Sequence, residues 1–344
     1  MQHEVTLLKP DDFHTHLRDD EFLHTTVPAT AQYCLRAIIM PNLKTPVTSV
    51  ALALAYAQRI KAAIPANRDF TPLMTLYLTD TLSPAEIFQA KQSGIIHGIK
   101  LYPANATTNS AFGIKNIRNI YPALEAMQQV DLPLLIHGEV TDPQVDVFDR
   151  EKMFIEQYLS VLMRDFPRLR IVLEHITTSV AVDFIQAASH PIAATITAHH
   201  LLYDRNALFQ NGINPHYNCL PILKRGRDKN ALLQAATSGN PRFFLGTDSA
   251  PHAQPTKECG HGCAGIYTAH AALSLYAQAF EQCDALARLE GFASHFGADF
   301  YQLARNQEMI TLRREAWRVP DYYAFGESRV IPLRAGEMMD WKVV

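Results

Sequence analysis

Short aliphatic runs punctuate this sequence, and segments of helical period lie between them. The runs are VTLL (5–8) leading into DDFHTH, LRAIIM (35–40), PLMTLYL (72–78), GIKLY (98–102), LPLLIH (132–137), RIVLEH (170–175), IAATITAHH (192–200) and RFFLGTD (242–248). A strand covered on both faces reads as a near-continuous apolar run, whereas a strand wet on one face alternates. Most of these runs are continuous, so they predict buried parallel strands. Between them SVALALAYAQRIKAA (49–63) has helical period, and SPAEIFQAKQSG opens with Ser83 as N-cap, Pro84 in the first turn and Glu86 three residues on, with Gly94 as its stop. Further helices are expected over 116–129, 151–165, 178–188, 228–237 and 264–287. Alternation of this kind builds a parallel α/β sheet, and eight such runs predict a (β/α)8 TIM barrel. An open doubly wound sheet is the rival, weakened because no glycine-rich phosphate loop follows the first run. No linker rich in Pro, Gly or Ser divides the 344 residues, which are read as one domain. The segment from about 310 carries Trp317, Pro320, Tyr322, Tyr323 and Trp341 without clear period, and is expected to be a tail packed on the barrel.

Composition removes several classes. Hydrophobic residues make up 48% and charged residues 19%, enough for a large core and too apolar for disorder. Thirty-one basic against 34 acidic residues leave a net charge of −3, no footprint for nucleic acid and no polybasic membrane patch. Five cysteines, at 34, 219, 259, 263 and 283, are odd in number and irregular in spacing, which fits a reducing cytoplasm better than a disulfide framework. The start MQHEVTLLKPDDFHTHLRDD has no basic stretch ahead of an apolar one and is not expected to be a secretory leader. No 18-residue apolar run occurs, so no transmembrane helix is expected.

The fifteen histidines matter by position. The first run ends His14-Thr15-His16, and residues two apart on a strand face the same side, so both imidazoles can reach one ion. The fourth run carries Lys100, the fifth ends His137-Gly138-Glu139, the sixth Glu174-His175, and the eighth Gly246-Thr247-Asp248. Barrel enzymes place their chemistry at the C-terminal ends of strands. Four histidines and an aspartate at such ends form a nitrogen and oxygen set suited to Zn²⁺. Singly, each has a plainer reading: a core histidine with its hydrogen bonds met, or, for Asp248, a turn residue in GTDSAP. Lys100 has two readings as well. It pairs with a nearby carboxylate, or its amine adds carbon dioxide to become an anionic carbamate able to bridge two metals. Glu139 falls on the same side as His137 and could orient it. His199 and His200, adjacent on an expected strand, would face opposite ways, and neither is taken as a ligand. Cys259, His261 and Cys263 lack the second half of a metal knuckle.

FHTHLRD, IIMPN, GIKLYP, LLIHGE, LEHIT and GTDSAPH, in this order, resemble the amidohydrolase superfamily, and within it the dihydroorotase family in its shorter stand-alone bacterial form. The resemblance runs from residue 12 to about 265. It implies a (β/α)8 barrel holding two Zn²⁺ per subunit, bridged by carboxylated Lys100 (N6-carboxylysine) and a hydroxide. His14 and His16 with Asp248 would bind one zinc, His137 and His175 the other, and Asp248 would also be the catalytic acid and base. Arg18, Asn42 and His252 would hold the substrate carboxylate. His137 and the backbone at Leu220 and Ala264 would meet the ring. Thr107 and Thr108 would reach it from a flexible loop over 103–113. The implied activity is the reversible cyclisation of N-carbamoyl-L-aspartate to (S)-dihydroorotate in pyrimidine biosynthesis. A cytoplasmic homodimer is implied too, with a small-molecule substrate and neither nucleic acid nor membrane as partner. Two rivals stand beside it: another cyclic amidohydrolase of the hydantoinase or allantoinase kind, whose chains are longer, and a non-catalytic scaffold, which would have lost its ligands.

Overall fold

The first aliphatic run is not the first barrel strand. In the computed structural model, which describes residues 3–344, Glu4–Leu8 (β1) ends before Lys9-Pro10 and a second strand, Asp11–Thr15 (β2), begins beyond it. Met1 and Gln2, part of the start read above, lie outside the described residues. Pro10 supplies the break, since it has no N–H for a ladder. β1 alternates exposed and buried, whereas β2 is buried throughout.

Seven parallel strands follow β2: Arg36–Ile39 (β3), Thr71–Tyr77 (β4), Ile96–Leu101 (β5), Leu134–His137 (β6), Ile171–Glu174 (β7), Ile192–Ile196 (β8) and Phe243–Leu245 (β9). They pair in chain order from β2 to β9, forming the expected (β/α)8 barrel. The first and last strands are joined at their ends. Asp248 N–H donates to His14 O (2.8 Å) and His16 N–H to Ser249 O (3.0 Å). Beneath them the Asp12 carboxylate accepts from Thr247 N–H and Thr247 Oγ1 of the last strand's extension, from Tyr33 Oη and from His14 N–H.

Ser49 and Ser83 cap the helices Val50–Ala62 and Pro84–Ser93, each hydroxyl accepting a backbone N–H three residues on, and Gly94 closes the second at φ +70°. Helices also form over Tyr121–Val130, Ser179–Ala187 and Gly226–Thr237, and over 150–165, where a π turn at Ile155–Leu159 interrupts. The helix expected over 264–287 is shorter, Ala272–Glu281, because Ile266 and Tyr267 are drawn into bridges with Ser249 and Pro332. The expected strand 192–200 stops at Ile196, and Thr197 caps a short helix, Ala198–Leu202.

One layer of side chains fills the barrel. Phe13, Ile38, Leu73, Leu135, Val172, Ala193 and Phe244 come from seven strands and meet Ala298 and Tyr301. On β5 the corresponding place is Gly98, where an added Cβ would lie 2.8 Å from Leu135. The C-terminal segment is not aperiodic. Met309–Arg318 (β10) pairs with β1 and with Met338–Val343 (β13), while Tyr323–Phe325 (β11) and Ser328–Val330 (β12) form a hairpin. Trp341 is buried there, its indole N–H donating to Glu281 Oε2 at 3.1 Å. Among the described residues no helix is long and apolar enough to cross a membrane.

Candidate active site

Strand parity carries the barrel's inner layer up to the chemistry. Two residues beyond Gly98 is Lys100, beyond Leu135 is His137, and beyond Val172 is Glu174; residues two apart share a face. Asp248 lies four beyond Phe244. His175 is out of step, and it reaches the cavity through a left-handed turn, φ +42°. Asp248 sits at φ +44° and Arg18 at φ +62°. Non-glycine residues in this region cost of order 1–3 kcal/mol and concentrate at functional sites. At β2 the ladder with β3 shifts register between Asp12 and Thr15, and both His14 and His16 face the cavity. Arg18 reaches it from a loop, since the strand ends at Thr15.

His14 Nε2 and His16 Nε2 stand 3.3 Å apart, and Asp248 Oδ1 lies 3.4 and 3.1 Å from them. A proton shared by the two facing ring nitrogens makes a single N–H···N bond, whereas a cation takes lone pairs from both nitrogens and from the carboxylate at once. The donor set therefore fits a divalent metal such as zinc. Behind it Glu174 stands 3.1 Å from His14 Nδ1 and also meets Lys100 Nζ. Lys100 is fully buried, with its Nζ 4.8 Å from the Tyr102 ring centroid. His137 Nε2 lies 3.0 Å from Glu139 Oε2; donating to it there leaves Nδ1 for a ligand. His175 Nδ1 is buried without a partner, and its ring is 4.9 Å from that of His137 and 5.0 Å from that of His14.

The charges are mutually arranged. Burial pushes the Asp248 carboxyl up, but the His14 charge and hydrogen bonds from His14 and His16 hold it well below the usual carboxylate range. Burial pushes His14 down, and Glu174 and Asp248 outweigh it, carrying the imidazole up to about 9. Burial, aided by Arg18 and opposed by Asp248, holds His16 down at about 4. Burial lowers the Lys100 ammonium, against the pull of Glu174.

One cavity brings together His14, His16, Arg18, Asn42, Thr107, Thr108, His137, His175, Leu220, Asp248 and Ala264. Lys100 lies beneath it. His252 stands behind Arg18: Arg18 Nη2 is 3.0 Å from His252 Nε2, Arg18 Nε donates to Pro251 O (2.9 Å), and Tyr56 Oη donates to the Arg18 carbonyl. The loop over 103–113 is folded onto the cavity. Asn42 Nδ2 donates to Thr108 O and Asn109 Nδ2 to Asn42 O, each at 3.0 Å. His199 and His200 are not on a strand but on the short helix Ala198–Leu202. With Cys219 they form a cluster of potential ligand atoms. His200 spends both nitrogens, on Thr197 Oγ1 (2.7 Å) and Pro221 O (3.0 Å).

Sequence reasoning gave no role to Glu174, Tyr102 or Asp12. Glu174 could have been found: it shares strand parity with Val172, so it points into the barrel. Tyr102 lines the cavity with its hydroxyl buried and unpartnered. Asp12 acts through contacts with a distant segment, which carry no local signal.

A model of the amidohydrolase family matches residues 12–320. The curated dihydroorotase of Nitrosococcus oceani is 60% identical over 339 residues, 98% of each chain. The solved dihydroorotase of Saccharomyces cerevisiae, in complex with 5-fluoroorotic acid, is 35% identical with a TM-score of 0.92, covering 100% of this chain and 99% of that one. The dihydroorotase of Campylobacter jejuni is 36% identical with a TM-score of 0.91, covering 100% and 98%. This chain belongs to the amidohydrolase family and, within it, to the group of the dihydroorotases.

Proposed function

We propose that this chain is a zinc-dependent dihydroorotase that interconverts N-carbamoyl-L-aspartate and (S)-dihydroorotate with release or uptake of water, a step of pyrimidine biosynthesis. The observation that carries the reading is the presence of Arg18 in one cavity with the His14, His16, Asp248, His137 and His175 cluster. A carboxylate-bearing cyclic amide needs both a guanidinium and a metal-ligand set. Two zinc ions, held by His14, His16 and Asp248 and by His137 and His175, would bring a water's pKa toward ~7 and polarise the ring carbonyl. Lys100, as its carbamate, would bridge them; its lowered ammonium and full burial suit an amine that reacts with carbon dioxide.

Asp248 takes the proton of the attacking water and returns it to the ring nitrogen as the C–N bond breaks. In the reverse direction it moves the same proton back and the ring closes. Arg18, its Nε on Pro251 O and one Nη2 contact on His252, presents its remaining N–H groups to the substrate carboxylate, with Asn42 and His252 supporting it. The backbone at Leu220 and Ala264 takes the ring's polar edge. Thr107 and Thr108 close over it and exclude water. A single barrel unit carrying the C-terminal strands, a homodimer and a cytoplasmic setting complete the reading. The first is supported by the buried Trp341, the second by the family resemblance alone, the third by five unpaired cysteines.

The test compares substrates. The purified, metal-loaded chain should open dihydroorotate and reject dihydrouracil, which lacks the carboxylate, by about 10²-fold or more in kcat/KM, because the half-buried guanidinium facing the cavity loses its partner. Equal turnover of both rings would replace this reading by that of a general cyclic amidase.

A further inference from the structure

Lys257 is only 4% exposed and takes no part in the site described so far. Its ammonium is surrounded by main chain: Nζ donates to Asn218 O at 3.0 Å, to Cys263 O at 3.1 Å and to Gly265 O at 2.5 Å. An ammonium has three donors, and here all three are used on carbonyls. Those carbonyls belong to two separate segments. One leads from Asn218 into Leu220; the other, 263–265, contains Ala264. Leu220, Ala264 and Gly265 all line the cavity.

The two segments also meet directly, by two hydrogen bonds. Gly265 N–H donates to Asn218 O (2.9 Å) and Asn218 Nδ2 to Gly262 O (3.2 Å). Gly265 sits at φ +148°, and a Cβ there would lie 2.5 Å from Ala250 O, so position 265 itself can carry no spacing side chain. Lys257 itself is anchored at the end of the turn Gln254–Lys257, its own N–H bonded to Ala253 O. Burial pushes its ammonium down to about 8, against the pull of Cys219 and Cys263, and it still carries its charge at neutral pH.

We propose that Lys257 is a positioning residue for the reaction: it sets the spacing between the Leu220 and Ala264 backbones, and so the width of the slot that takes the polar edge of the substrate ring. The assignment rests on reading this cavity as a dihydroorotase site. Lys257 touches neither substrate nor metal, so its loss moves substrate affinity ahead of chemistry.

The test uses the metal-loaded enzyme and its Lys257→Met and Lys257→Arg variants, assayed for dihydroorotate opening alongside metal content and melting temperature. Lys257→Met should raise KM about tenfold, keep kcat within about threefold and hold its metals, since three charge-assisted bonds to the slot vanish while the ligands stand. Lys257→Arg, still able to donate to carbonyls, should recover most of that KM. An unchanged KM in Lys257→Met overturns the assignment. So does a methionine variant that loses fold and metals with the arginine variant no better, because the lysine is then a strut. A wild type that turns over no dihydroorotate sinks the functional reading itself, an outcome distinct from either.

Discussion

Asp12 ties the first barrel strand to the last, and removing its carboxylate tests how the metal ligands are held in place. It accepts from Tyr33 Oη (2.6 Å), Thr247 Oγ1 (2.6 Å), Thr247 N–H (2.9 Å) and His14 N–H (3.1 Å), all buried. In Asp12→Ala, Thr247 Oγ1 keeps an alternative acceptor in His14 O at 3.2 Å. Tyr33 Oη, Thr247 N–H and His14 N–H are left without one. Each such orphan costs about 1–3 kcal/mol, and partial relaxation brings the total to about 3–5 kcal/mol. Asp12→Asn keeps Oδ1 for the two N–H groups, and the two hydroxyls can turn to accept from its amide, so it should cost about 1–2 kcal/mol. Burial raises the Asp12 carboxyl against its four hydrogen bonds. A carboxyl raised on folding gives its stability in full below the ordinary carboxylate range and loses it as pH climbs through the folded value. The wild-type advantage over asparagine should therefore be largest in acid and narrow upward. Urea unfolding of metal-stripped protein measures this without the added stability of bound metal. An alanine variant no less stable than the asparagine one would refute the reasoning.

Glu139→Gln removes the carboxylate 3.0 Å from His137 Nε2 and should weaken metal binding about 10–100-fold in a chelator competition; unchanged affinity would leave Glu139 without an orienting role. Asp248→Asn should keep the fold while kcat falls by about 10²–10⁴ or more, and near-normal turnover would remove Asp248 as the proton carrier. Asn109→Gly accepts the native φ of +56° but loses the bond to Asn42 O. It should lower kcat/KM about 2–10-fold, the equivalent of one hydrogen bond, and no change would mean that the loop closes without this latch.

The barrel was legible because strands buried on both faces write themselves as apolar runs. The run at 5–8 misled, since nothing in VTLL distinguishes a barrel strand from one that pairs with a segment three hundred residues away; Pro10 was the available sign. The helix Leu23–Tyr33 is not legible in LHTTVPATAQY, which is rich in threonine and carries Pro28 inside it. His199 and His200 read as strand because the apolar run continues up to them, and only the N-cap Thr197 marks the turn into a helix. The residues proposed for the metals could be named from sequence because they cluster at, or just beyond, the C-terminal ends of five barrel strands. Their supports could not: Asp12 works through Tyr33 and Thr247, and Lys257 through three carbonyls, none of which is marked by residue type.

Arg18, His175 and Asp248 share a backbone region that glycine occupies without penalty. Stability and chemistry therefore pull on these positions in opposite directions. Glycine at 175 or 248 would relax the turn and delete a proposed ligand in the same stroke. A randomised pool of this chain sorted only for survival of heating should drift toward glycine there, yielding tougher barrels without activity. A pool sorted for turnover should hold the histidine and the aspartate. What keeps them in place is the work of the cavity, since the scaffold alone would release them.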